Sequence, residues 1–61
     1  MKLKDYLYDK GIKQKWLARQ IGVSEVTMSS WCNGKARPYP KHRDKISQVL
    51  NLPYDQLFEI L

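Results

Sequence analysis

The stretch Gln14–Gly34, QKWLARQIGVSEVTMSSWCNG, decides the fold. Leu17, Ala18 and Ile21 fall at i, i+1 and i+4, one face of a helix with 3.6 residues per turn. Gly22 follows at once, where helices end on a residue at positive φ. Val23 is apolar, and Ser24 suits the N-cap of a next helix. Met28 and Trp31 then recur at i and i+3, the buried stripe of a second short helix. Two helices joined by about three residues around a glycine cross steeply. Ala18 supplies the small side chain needed where they approach.

Outward from this corner the chain reads as all-α, with five helices and no strands. A first helix is expected over 3–10, with Leu3, Tyr6 and Leu7 inward and Gly11 ending it. Ile12 is placed to staple onto Leu17. The corner helices are expected over 13–21 and 25–33. Residues 34–40 should form a loop, because each proline in Arg37-Pro38-Tyr39-Pro40 drives its predecessor out of the α region. Tyr39–Pro40 is expected in trans. A fourth helix over 41–50 should bury Ile46, Val49 and Leu50. Pro53 separates it from a last helix over 54–60.

With these elements in place, the chain resembles the helix-turn-helix family of phage Cro and repressor proteins, the XRE-like DNA-binding domains. Gln14 matches the glutamine that opens the motif's first helix, Ala18 its small packing residue and Gly22 its turn glycine. Trp31-Cys32-Asn33-Gly34-Lys35 resembles the signature that closes the recognition helix. Arg37-Pro38 and Leu50-Asn51-Leu52, followed by Tyr54-Asp55-Gln56-Leu57, extend the likeness over about residues 3–60. The chain departs from the pattern at Lys13, where a Ser or Thr cap is usual, at Cys32, where an acid is frequent, and at His42-Arg43, usually apolar. The resemblance implies a compact lambda-repressor-like domain with its helix-turn-helix at the second and third helices. It also implies that Gln14 clamps one phosphate, and that Asn33, Lys35 and Arg37 form a second clamp.

Composition narrows the field. Sixty-one residues suffice for one domain, 1–61, with a small core. Separate catalytic or ligand-sensing domains are not expected at this size. No apolar run approaches the ~20 residues of a membrane span, and the N-terminus has no signal-peptide character. A lone cysteine suits a reducing, cytoplasmic setting, and with one histidine makes structural zinc unexpected. Cofactors and metals are therefore not expected.

The net charge of +5 is unevenly spread. Residues 1–23 carry six Lys or Arg against two Asp, and residues 35–45 carry five against Asp44, so each block balances at +4. Residues 24–34 hold only Glu25, and residues 46–61 hold Asp55 and Glu59. Two basic blocks thus flank a nearly neutral helix. A helix in a major groove meets base edges beneath it and phosphates on both sides.

With Met28 and Trp31 inward, Glu25, Val26, Ser29, Ser30 and Asn33 face outward, Ser24 stands at the tip and Thr27 at the flank. Ser24, Glu25, Val26, Thr27, Ser29 and Ser30 are the expected base contacts. Val26 suits a thymine methyl and Glu25 a cytosine amino group; Glu25 equally suits the helix dipole. The serines are short, tolerant readers. No Arg, Lys or Gln lies on this face, so readout should lean on DNA shape and flanking residues. Lys13, Lys15, Lys41 and Arg43 join Gln14, Asn33, Lys35 and Arg37 as expected phosphate partners. Leu57, Phe58, Ile60 and Leu61 put apolar residues on more than one side of the last helix, which points to a weak homodimer.

The leading expectation is a sequence-specific transcriptional regulator of double-stranded DNA, a Cro-like repressor on an inverted-repeat operator. The scarcity of polar readers keeps an alternative open: a protein-interaction module, such as an antitoxin or anti-repressor, that retains the fold. An enzyme is not expected. Asp5 and Asp9 share a helix face but are surrounded by lysines, and His42 beside Arg43 lacks a nucleophile and an orienting acid.

Overall fold

The computed structural model describes residues 2–61; Met1 lies outside the described residues. Five helices follow in order: α1 Leu3–Lys10, α2 Gln14–Ile21, α3 Glu25–Cys32, α4 Pro40–Leu50 and α5 Tyr54–Ile60. No strand occurs among the described residues. None of these helices is long and apolar enough to cross a membrane.

Helix ends follow local chemistry. The first four helices all close in one way. An N–H two residues past the helix, or three past α3, donates to the carbonyl five residues back: Ile12 to Leu7 (2.8 Å), Val23 to Ala18 (3.0 Å), Lys35 to Ser30 (2.9 Å) and Leu52 to Ser47 (3.0 Å). This closure needs a left-handed residue just before the donor. Gly22, at φ 88°, supplies it at the α2–α3 corner, and Asn51, at φ 55°, at the end of α4. The Ser47 hydroxyl also donates to the Leu52 carbonyl. At the start of α3, Ser24 Oγ accepts from the Thr27 N–H at 3.2 Å.

Three boundaries differ by one residue from the sequence expectation. Lys13 is the extended N-cap of α2 rather than its first turn, and Asn33 is the C-cap of α3 rather than its last helical residue. Pro40 opens α4 instead of ending the loop. Its fixed φ and missing N–H suit the first helical position, while Tyr39 before it is extended, as the rule for the residue preceding proline requires. There is no cis peptide bond among the described residues.

The core joins Leu3, Leu7, Leu17, Ala18, Ile21, Met28, Trp31, Cys32, Ile46 and Leu57. Helix α2 packs on α3 and α4, α1 on α3, and α4 on α5. Tyr6, Val49 and Leu50, expected inward, are only half-buried at the margin of this core. Cys32 is fully buried, one step round α3 from Met28, although the Met28–Trp31 stripe did not include it.

The last helix corrects the expected self-association surface. Leu57 is 1% exposed in the core of its own chain, so it contributes nothing to a surface contact. Phe58 is about half exposed, and Ile60 and Leu61 are half-buried against the core.

Candidate nucleic-acid interface

Burying Met28, Trp31 and Cys32 turns the opposite side of α3 to solvent. Glu25, Val26, Ser29, Ser30 and Asn33 then line one open depression of about 340 Å3, which Lys35 completes. Val26 is 77% exposed, an apolar side chain that the fold leaves uncovered. The Asn33 amide donates to Ser29 Oγ at 3.3 Å, which orients the side chain at the end of this face. Ser24 and Thr27 behave differently. Their hydroxyls share a hydrogen bond of 3.0 Å within the cap of α3, so both are committed first to starting the helix.

Lys35 owes its direction to the closure of α3. At the ends of α1, α2 and α4 the residue donating the closing bond is Ile12, Val23 or Leu52, each tucked against the core. At the end of α3 it is an exposed lysine. The same backbone turn thus holds a cation at the surface where its counterparts hold apolar plugs. Past it, Pro38 is buried while Arg37, Tyr39 and Lys41 are exposed, so the proline pins the segment from below.

The start of α2 forms a second electropositive end. No side chain caps it, and its first turn carries no acid. First-turn N–H groups lack intrahelical partners and carry the positive end of the helix dipole. Gln14 is half-buried there, between exposed Lys13 and Lys15. Lys13 turns instead toward a separate depression lined by Gly11, Ile12 and Trp16, and Trp16 is 47% exposed.

Arg43 sits apart from the other cations. Its guanidinium carbon lies 4.8 Å from the centroid of the Phe58 ring, and its Nε is buried without a hydrogen-bond partner. The side chain packs α4 against α5. Two residues in this region escaped the sequence reading. Cys32 stands i+4 from Met28, a spacing that puts it at the flank of the stripe without deciding whether that flank is covered. Tyr39, 73% exposed between Arg37 and Lys41, carries no periodic signal because it lies in an extended segment.

Burial pushes the Cys32 thiol above its ordinary range, since the core solvates a thiolate poorly. It is thus a packing residue on the inner side of α3.

No curated protein and no solved structure matches the chain at a significant level. A family model does match, and it spans residues 2–61, from the start of α1 to the end of α5, with the α2–α3 corner within it. By its fold and by this match, the chain belongs to the family of Cro/C1-type helix-turn-helix DNA-binding domains.

Proposed function

We propose that this protein is a sequence-specific transcriptional repressor. It inserts α3 into the major groove of duplex DNA and works as a symmetric dimer on an inverted repeat. The observation that carries the reading is the outer face of α3. Glu25, Val26, Ser29, Ser30, Asn33 and Lys35 share one open surface, with Lys35 on its rim and exposed Arg37 and Lys41 following in the chain. Glu25 and Val26 occupy the first turn, where a recognition helix meets base edges. Gln14, Lys15, Lys35, Arg37 and Lys41 supply phosphate contacts that fix register without reading sequence.

Such a dimer binds two half-sites about 34–36 Å apart, one helical turn. Each domain measures 25 × 24 × 20 Å, so two copies in contact reach that spacing only with α3 toward their outer edges. Repression is steric, by occupation of a promoter.

Selection from a randomised duplex pool at about 150 mM salt tests this, because that ionic strength penalises purely ionic binding. An enriched inverted repeat is the expected result. A single enriched half-site removes the dimer. A pool without enrichment removes the repressor and favours the protein-interaction module, for which the bare Val26 on α3 is the supporting observation.

A further inference from the structure

Tyr39 has a large, exposed side chain in the middle of the basic segment that follows α3, yet its ring is not loose. It stacks on His42 with centroids 6.5 Å apart and planes 29° apart. His42 in turn lies 5.5 Å from the ring of Trp31, which is 5% exposed in the core side of α3. Three aromatic rings therefore run from the inside of the recognition helix to the surface. The backbone at Tyr39 is extended, anchored by buried Pro38 before it and by α4 after it. From Asn33 to Arg43 there is no carboxylate, and the side chains two residues to either side of Tyr39 are Arg37 and Lys41. A phenol held in such surroundings is a neutral donor among cations that attract anions.

We propose that Tyr39 is a DNA-backbone contact, its hydroxyl donating to a phosphate oxygen, and that His42 is its positioning residue. His42, tilted against Trp31, links the phenol to α3, so the contact sets the depth and angle of that helix in the groove. This proposal rests on the duplex-binding reading above. Tyrosine suits the task because its two side-chain torsions cost little to order, and His42 supports one side of the ring.

The test uses the full chain and the duplex obtained by selection. Tyr39→Phe keeps the stack and removes only the hydroxyl; it should weaken binding about tenfold, as for loss of a hydrogen bond to a charged group. The dependence on salt should keep its slope, because a neutral donor displaces no counterion of its own. Replacing single phosphates by methylphosphonates should reveal one position that weakens the wild type and leaves Tyr39→Phe unaffected. His42→Ala should cost a similar factor and abolish the effect of a second Tyr39→Phe change, whereas His42→Phe should restore binding. If Tyr39→Phe binds the selected duplex within about twofold of wild type, the Tyr39 contact is overturned while the duplex reading stands. If the wild type binds no duplex, both fall together. Should His42→Ala unfold in a thermal melt, Tyr39→Phe and the methylphosphonate series decide alone.

Discussion

At the scale of single residues, Gly22 and Cys32 make the sharpest claims. A Cβ built on Gly22 meets nothing within 4 Å, so any cost of Gly22→Ala comes from backbone conformation alone. At φ 88° that cost should be about 1–2 kcal/mol, measurable by urea denaturation. Cys32 makes a claim about pH. Its thiol is held above the ordinary value of 9.0 by burial, so the folded state keeps a proton that the unfolded chain gives up first. As pH rises past 9.0 the unfolded state binds fewer protons, and stability should fall until the folded thiol also ionises. Stability measured from pH 7 to pH 10 should decline less steeply for Cys32→Ala than for wild type; parallel profiles would exclude the thiol as the cause. Gly22 could be placed from sequence because the αL requirement is local. Burial of Cys32 was not legible, since a small thiol at the flank of a stripe is covered or bare according to what packs beside it.

At the scale of elements, α3 has a start and an end that answer to different tests. Ser24 caps its start, so Ser24→Ala should cost roughly 1 kcal/mol of stability whether or not DNA is present. Lys35 closes its end through its backbone N–H, a bond that Lys35→Ala retains. That variant should melt within about 0.5 kcal/mol of wild type, while the slope of log affinity against log salt should drop by about one phosphate contact. An unchanged slope in filter-binding titrations would remove Lys35 from the phosphate clamp. The outward face of α3 was legible because burial of Met28 and Trp31 dictates it through helical periodicity. Commitment of the Ser24 and Thr27 hydroxyls to the cap, and of Asn33 to Ser29, depends on side-chain torsions that periodicity does not specify.

At the scale of the whole molecule, α5 separates core from surface. Leu57 and Phe58 are neighbours in sequence with opposite duties. Leu57→Ala should cost about 2–5 kcal/mol, a large part of the roughly 3–9 kcal/mol expected for a domain of this size. Phe58→Ala should cost much less and instead weaken any self-association, read by sedimentation at rising concentration; a dimer unmoved by this change would place its interface elsewhere. Helices, their glycine ends, the α2–α3 turn and the flanking charge were determined by the sequence alone, because 3.6-residue spacing, φ preference and proline geometry act within a few residues. Only the tertiary structure decided which flank of each stripe is covered. It buried Cys32 and Pro38, sent Leu57 inward, laid Arg43 over Phe58, and brought the rings of Trp31, His42 and Tyr39 into successive contact. Those outcomes depend on which helices meet, and so on contacts between residues distant in the chain.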